Sequence, residues 1–280
     1  MVTGKAWFKV PSAIRFELTG KPAKWVSGKD IILHIIGMIG VDGALYKSME
    51  FTGDGIKHLS MDDRFTICNM AIEAGGKNGI FPVDEAAREY MREHSKRDFK
   101  VYERTRTQST RRRTASTCLS SSPQWPSLIC RKTPEPLTRR EISRLIQVVI
   151  GSCTNGRTED MRTAASILKQ KGEKGRPLHR HSGDPGHLPS VHQRRLDGDL
   201  CGGGSCSQHA YLRSLPGRLH GNSGGWGEVR LHHQPELVGR MGHVDSEVYL
   251  ASPAVAAASA VAGKLCGPEE ICSQETTGGN

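Results

Sequence analysis

The stretch QVVIGSCTNGRTEDMRTAASILK, residues 147–169, decides the fold of this chain. A β-branched apolar run, Val148 to Ile150, predicts a buried strand that stops at Gly151. A polar turn with Cys153 follows, and an amphipathic helix begins near Thr158. Cys153 is therefore expected on a strand-to-helix loop, which is where open α/β sheets bind their ligands.

The start of that helix carries residues typical of helix N-termini. Asn155 or Thr158 can cap it, and the carboxylates of Glu159 and Asp160 suit its positive end. A lone cysteine in such a loop is more often a small inert residue than a metal ligand. The loop by itself therefore assigns no role to Cys153.

Composition excludes several function classes. The chain has 280 residues, a formal net charge of +10 and 5% aromatic residues. Much of the positive charge lies in residues 105–114 and 176–195, which lack the interleaved aromatics of a nucleic-acid stacking platform. No stretch approaches the roughly 18 apolar residues of a membrane span, and the N-terminus lacks the apolar core of a secretion signal. We expect no nucleic-acid partner, no membrane contact and a cytoplasmic location.

Residues 1–102 read as regular α/β sequence. Apolar alternation predicts a strand at residues 14–18, and two further short strands are predicted at residues 48–52 and 79–83. Helical spacing predicts helices at residues 27–39, 60–74 and 84–94, with Ser27 and Ser60 as caps of the first two. Alternating strands and helices favour a layered sheet flanked by helices, so the expected fold class is α/β.

Three strings resemble one known family. GSCTNGR, with Cys153, resembles the first cluster-cysteine motif of the aconitase family in the form used by 3-isopropylmalate dehydratase large subunits. Residues 51–85 resemble the same proteins, and their helix carrying Asn69 and Glu73, expected on one face, is similar to the family helix that presents a polar pair to the active site. VGRMGHVDSE, with Arg240, resembles the family's cluster-side loop. The resemblance implies aconitase-like three-layer α/β domains, here incomplete.

Two stretches of the chain do not resemble the sequences of this family. Residues 103–137 and 176–237 are rich in Arg, Ser, Gly, His and Pro without any period, so their composition predicts loops or disorder. The expected domains are therefore an aconitase-like domain at 1–102, an irregular segment at 103–137, and a partial cluster-bearing domain at 138–280 that contains the second odd stretch. Structureless stretches of this length are unusual in a compact domain.

A shifted reading frame accounts for both stretches. Codons for QHAYLRSLPGRLH, residues 208–220, include a set that encodes NTPTCGPCLGGCM when read one base later. The family's paired cluster cysteines lie in just such a string. The same shift turns residues 178–188 into CIVIPATQAIY, and residues 229–237 into CVSTTNRNF, which joins the in-frame VGRMG. A different shift yields similar text within 103–137. We infer that insertions or deletions bracket each stretch.

The resemblance also implies a chemistry. Members of this family remove and add water on hydroxy-di- or tricarboxylic acids, with an iron of a [4Fe-4S] cluster acting as Lewis acid. Cys153 matches the first of three cluster thiolates, and the other two lie in the shifted frame. Asn69, Glu73 and Arg240 match substrate-binding positions, and no catalytic residue is assigned.

Other parts of the family site are expected to lie outside this chain. In these dehydratases a separate small subunit completes the site, and an N-terminal domain precedes the point that matches residue 1. We expect the chain as written to hold no cluster and to be an inactive fragment of a hydro-lyase that interconverts 2- and 3-isopropylmalate in leucine biosynthesis. The alternatives are a fragment of a homoaconitate hydratase large subunit and a non-enzymatic basic binding protein.

Sequencing the DNA locus tests the shifted frames. We expect single-base insertions or deletions near both ends of each odd stretch, because the flanking text matches one family in register. A continuous frame that encodes the 280 residues, with no compensating shift available, would contradict the hypothesis.

Overall fold

The computed structural model describes residues 4–103, 112–118, 127–130, 133–136, 147–151, 154–168, 178–182, 206–209, 229–232 and 247–272. They belong to two compact units. The first comprises Met1–Pro22 and Ile39–Ser120, and the second Ala23–Met38 and Ser121–Asn280. Each unit contains one sheet of mainly parallel strands, so the fold is α/β, as predicted. Among the helices that the structure describes, none is long and apolar enough to cross a membrane.

The first unit is built on a four-stranded parallel sheet. Its strands are β1 (Ser12–Thr19), β2 (Lys47–Thr52), β3 (Asn78–Ile80) and β4 (Arg112–Cys118), in the order β3-β2-β1-β4. Alternation along β1 buries Ile14, Phe16 and Leu18. Phe16 pairs in register with Phe51 on β2, and their rings stack with centroids 5.6 Å apart. Both predicted strands are thus confirmed, each longer than expected.

The third predicted strand, at residues 79–83, is shorter in the structure. β3 ends at Ile80, two residues before Pro82, which has no N–H to donate to a neighbouring strand. The next helix, α3 (Glu85–His94), was predicted at residues 84–94 and is confirmed. The side chain of Asp84 caps it by accepting a hydrogen bond from the N–H of Ala87 at 3.1 Å. The chain therefore leaves the sheet at a proline and enters the helix at a carboxylate cap.

The helix predicted at residues 60–74 is divided. Ser60 caps α2 (Met61–Asn69) through a capping box with Asp63, as expected for a serine at this position. The α-helix ends at Asn69, and Met70–Ala74 forms a 3-10 helix that stops at Gly75, where φ is +77°. Gly75 is suited to this stop because residues with a Cβ rarely adopt positive φ.

A buried arginine connects the segments around this helix. The guanidinium of Arg64, which is 3% exposed, donates to both carboxylate oxygens of Asp84 at 2.7 Å. It also donates to the carbonyl of Ile56, in the 3-10 helix Asp54–His58, at 3.1 Å. One side chain thus joins α2, the loop after β2 and the cap of α3. Hydrogen bonds from Arg64 hold the pKa of Asp84 below its usual range.

The second unit contains a seven-stranded sheet. The described strands are β5 (Ser127–Cys130), β6 (Thr133–Pro136), β7 (Gln147–Gly151), β8 (Leu178–Ser182), β9 (Cys206–His209), β10 (Val229–His232) and β11 (Glu247–Leu250), in the order β6-β5-β11-β10-β7-β8-β9. The core is formed by β7, β11 and two helices, α4 (Thr158–Leu168) and α5 (Pro253–Ala262). A short helix, α6 (Pro268–Cys272), packs beside α5. The helix predicted at residues 27–39, α1 (Gly28–Ile39), also groups with this unit.

The two odd stretches contain strands where composition predicts loops or disorder. β4, β5 and β6 lie in residues 103–137, and β8, β9 and β10 lie in residues 176–237. The expectation of fully irregular structure is therefore wrong for these residues, because hydrogen bonding to neighbouring strands outweighs local composition. Pro134 and Pro136 are tolerated because β6 is the edge of its sheet. The rest of both stretches lies outside the described residues.

Replacing Asp84 with alanine tests the arginine contact. We expect D84A to lower the free energy of unfolding by about 2–3 kcal/mol, because the buried Arg64 loses its counter-charge and α3 its cap. The matched control is E85A, which removes the exposed Arg92–Glu85 pair and should cost less than about 0.5 kcal/mol. The depressed pKa of Asp84 means that its stabilisation is present above about pH 4 and is lost as the pH falls further. Equal urea midpoints for the two variants would contradict the role of Arg64.

Candidate functional site

The candidate site in the second unit is one edge of its sheet. β10, β7, β8 and β9 are parallel neighbours, with Leu231 opposite Val148, Ile150 opposite Arg180, and His181 opposite Gln208. Their carboxyl ends therefore meet at the same edge, which is where α/β sheets bind ligands. The loop predicted to carry Cys153 follows β7 at this edge.

Gly151 controls the exit from β7. Its φ is +120°, a conformation that residues with a Cβ rarely adopt. Cys153 itself lies outside the described residues, together with Ser152. The next two residues, Thr154 and Asn155, are each 2% exposed, so the turn enters the body of the unit rather than solvent.

Hydrogen bonds hold the turn against the first turn of α4. The amide of Asn155 donates to Asp160 Oδ1 at 3.0 Å, and the backbone N–H of Arg157 donates to Asp160 Oδ2 at 3.3 Å. The guanidinium of Arg157 donates to the carbonyl of Thr154 at 2.9 Å. The helix begins at Thr158, so the capping position is Arg157 rather than either predicted residue. The sequence analysis assigned Asp160 only a favourable charge at the positive end of the helix. In the structure its carboxylate also accepts the two hydrogen bonds that hold the turn.

The predicted substrate-binding pair lies in the first unit. Asn69 is exposed at the end of α2, and Glu73 is half-buried in the 3-10 helix. The expectation that one α-helical face carries both is wrong, since the α-helix ends at Asn69 and a 3-10 helix turns about 120° per residue instead of about 100°. The segment lies beside the start of β2, where the N–H of Tyr46 donates to the carbonyl of Gly75 at 3.0 Å. Arg240, the third predicted residue, lies outside the described residues.

Two of the described cysteines, Cys68 and Cys266, are poor metal ligands. Cys68, Cys266 and Cys272 form no disulfide. Burial raises the pKa of Cys68 to about 11 and that of Cys266 to about 12, so both stay protonated at neutral pH, whereas a metal is bound by the thiolate. Within the described ranges, no three His, Cys, Asp or Glu side chains are grouped so that they could hold a metal ion.

A buried carboxylate was missed by the sequence analysis. Asp30, in the first turn of α1, accepts from the N–H and the hydroxyl of Ser27, both at 2.9 Å. Burial raises the pKa of Asp30 to about 6, against the lowering effects of Ser27, of the Ser252 hydroxyl and of the Lys29 charge. Ser252 is fully buried in the loop after β11. The S-x-x-D spacing signals the cap, but Ser252 is too distant in sequence to be linked to it.

The raised pKa of Asp30 predicts a pH effect on stability. The folded chain binds this proton more tightly than the unfolded chain, so stability is full below about pH 4 and falls as the pH rises to about 6, by on the order of 3 kcal/mol. D30N should remove this slope and should be the more stable protein at pH 7, because an amide still accepts from Ser27. Urea unfolding between pH 4 and 7 measures the difference, with the exposed D42N as control. Parallel curves for D30N and the parent would contradict the assignment.

Comparison with known proteins shows which family the chain belongs to. The model of the aconitase family (aconitate hydratase) matches residues 1–124. The chain is 51% identical to the 3-isopropylmalate dehydratase large subunit of Clostridium kluyveri, over 97% of its own length and 65% of that protein. It is 48% identical to the large subunit of the same name from Acetivibrio thermocellus, with the same coverage of both chains. It is 50% identical to the 2,3-dimethylmalate dehydratase large subunit of Eubacterium barkeri, again covering 97% of this chain and 65% of that one. The chain thus spans just under two thirds of the length of these curated relatives. It belongs to the aconitase family, in the group formed by the large subunits of 3-isopropylmalate dehydratase and its relatives.

Proposed function

We propose that this chain derives from the large subunit of a [4Fe-4S]-dependent hydro-lyase that interconverts 2- and 3-isopropylmalate. The names of its relatives at about 50% identity support this reaction class. Those names include isopropylmalate and 2,3-dimethylmalate, which are both malates with alkyl substituents. They favour an alkyl-malate over the homocitrate-type substrate of the alternative hydratase. The other alternative, a basic binding protein, stays a prediction.

The order of strands in the second sheet carries the proposal. Cys153 is two residues beyond the end of β7, and Leu212 and Leu215 are three and six residues beyond the end of β9. The shifted reading places a cysteine at each of these two leucine positions. β7 and β9 flank β8 and run parallel to it, so their ends are separated by about 10 Å at one edge. Loops from the two ends can therefore bring three thiols to one cluster.

The positions of two other strands support the same interpretation. The shifted text over residues 178–182 reads CIVIP, and over residues 229–232 it reads CVST. Both are rich in residues typical of strands. β8 and β10 occupy these two segments, although their own sequences, LHRHS and VRLH, include polar and charged residues. The positions of β8 and β10 therefore agree better with the sequence in the shifted reading frame than with the residues of this chain.

The residues present do not fit the cluster that family members carry. Such a cluster needs three thiolates, and Cys153 is the one matching residue, because leucines occupy positions 212 and 215. The described thiols with raised pKa, Cys68 and Cys266, are not replacements. We therefore propose that the 280-residue chain holds no cluster and has no dehydratase activity.

The proposed partners follow from the same group of relatives. The name large subunit implies a small subunit in those proteins, and we propose that the intact form of this chain associates with one and acts on a small hydroxy acid. Asn69, Glu73 and Arg240 are the residues proposed to contact that acid. The cytoplasmic location remains a prediction.

Cluster assembly tests the proposal directly. The 280-residue chain is purified and supplied with ferrous iron and sulfide in the absence of oxygen. It should not develop the broad visible absorbance of a [4Fe-4S] centre. A full-length protein with both frames restored should show that absorbance and, with its small subunit, should convert 2-isopropylmalate. Replacing the restored cysteines at positions 212 and 215 with serine should abolish both signals.

Two further variants of the restored protein serve as controls. C153S should lose the absorbance, because it removes the first of the three matching thiolates. C272S, which changes a half-buried cysteine on α6 that forms no disulfide, should keep it. A brown, active sample of the printed 280-residue chain would refute the proposal.

A further inference from the structure

The turn before β2 carries a tyrosine with an uncommon backbone conformation. Tyr46 has a φ of +54°, in the left-handed region that bulky residues rarely adopt. Its N–H donates to the carbonyl of Gly75 at 3.0 Å, which holds the turn in this conformation. Tyr46 is 42% exposed, so the phenol ring reaches the surface. Residues kept in such conformations are concentrated at functional sites.

Two positive charges meet at the ring of this tyrosine. The ammonium of Lys77 lies 4.4 Å from the centre of the Tyr46 ring, and the ammonium of Lys9 lies 5.7 Å from it. These distances place the two charges within about 10 Å of each other, which is close to the screening length at physiological salt. Among the residues that the structure describes, no carboxylate forms an ion pair with either lysine. The ring thus gathers positive charge that the described part of the chain does not neutralise.

The ring and its lysines adjoin the segment that carries Glu73. The 3-10 helix Met70–Ala74 ends one residue after Glu73, and its last carbonyl accepts from the N–H of Ala44 at 2.9 Å. Tyr46 and Lys77 each lie just before a strand, and those strands, β2 and β3, are parallel neighbours. The amino ends of parallel neighbours meet at the same edge of a sheet. Tyr46, Lys77 and the segment with Glu73 therefore lie at one edge of the first sheet.

A hydroxy-dicarboxylic acid needs positive charge that the proposed substrate-binding pair does not supply. Asn69 is neutral and Glu73 is acidic, so neither compensates a carboxylate. An ammonium binds a carboxylate through charge-assisted hydrogen bonds, and a tyrosine hydroxyl can donate a further one. Lys47, whose ammonium lies 3.5 Å from the carbonyl of Gly43, adds positive charge to the same turn. With the two lysines at the ring, it outnumbers the acids of these segments, Asp42 and Glu73.

We propose that Lys77, Lys9 and the hydroxyl of Tyr46 bind one carboxylate of a small hydroxy-dicarboxylic acid. This inference rests on the proposed function, because it adds contacts to the substrate that Asn69 and Glu73 are proposed to bind. Lys77 supplies the main contact, since its ammonium is the closer of the two to the ring. The fixed ring orders both lysines by cation–π attraction and places its own hydroxyl beside them.

A titration of the 280-residue chain tests the site without the cluster. With carbon-13 in the tyrosine rings, 2-isopropylmalate should shift the Tyr46 resonance in a saturable manner, and Y46F identifies that resonance. The dimethyl ester of the same acid lacks both charges and should not shift it. No saturable shift, or an equal shift with sodium chloride at the same ionic strength, would overturn the proposal.

Substitution of Lys77 identifies the charge responsible. K77M should weaken the binding of 2-isopropylmalate about tenfold, which corresponds to the loss of one charge-assisted hydrogen bond. K57M removes an exposed lysine in the 3-10 helix Asp54–His58, which follows β2 at the opposite edge of the sheet, and should bind like the parent. Both variants should keep the thermal midpoint of the parent, because both lysines are exposed. Equal weakening by K57M and K77M would overturn the proposal.

Kinetics of the restored full-length protein with its small subunit separate this inference from the proposed function. K77M should raise KM for 2-isopropylmalate about tenfold and leave kcat within about twofold, because the carboxylate keeps its contact through the reaction. K77R should recover most of the loss, since it keeps the positive charge. Turnover with equal KM for K77M and K57M would overturn the site and leave the proposed function standing. If the restored protein shows no turnover, the proposed function fails, and the titration alone supports or overturns the carboxylate site.

Discussion

The ion pair between Arg64 and Asp84 is the contact on which the arrangement of the first unit depends. A guanidinium that is almost completely buried must have its charge compensated, because an unpaired charge in the interior costs several kcal/mol. Asp84 supplies both oxygens at 2.7 Å, and the Ile56 carbonyl takes a further N–H. These acceptors lie on different segments of the chain. The need to compensate one charge therefore fixes where the loop after β2 and the start of α3 are placed around α2.

The elements that sequence reasoning predicted well are those whose signals are local. β1 follows from period-two alternation, and the start of α2 follows from Ser60 as its cap. The end of α2 could not be predicted in this way. The 3-10 helix that replaces its last turn stops at Gly75 in a left-handed conformation and is held by backbone hydrogen bonds from residues before β2, which are tertiary contacts. The strands in the two odd stretches were missed for a related reason, since pairing with neighbouring strands outweighs their composition.

The candidate site shows the same division between local and distant signals. The strand, the sharp exit at Gly151 and the start of α4 were predicted from residues that are neighbours in the chain. The role of Asp160 in holding Asn155 was not, because charge alone does not show which groups a carboxylate accepts from. Asp30 and Ser252 are separated by most of the chain, so their proximity became visible only in the folded second unit. The strand order, which brings the ends of β7 and β9 to one edge, is likewise a property of the fold.

The position of α1 has a consequence for how the molecule can be divided. Residues 23–38 interrupt the first unit in sequence but group with the second, which otherwise begins about eighty residues later. Neither unit is a continuous segment, so no single cut yields either one intact. During synthesis, α1 leaves the ribosome long before the strands and helices of its own unit. Its buried residues, which include Ile31, Ile32 and Leu33, therefore remain without their native neighbours until the later strands and helices emerge.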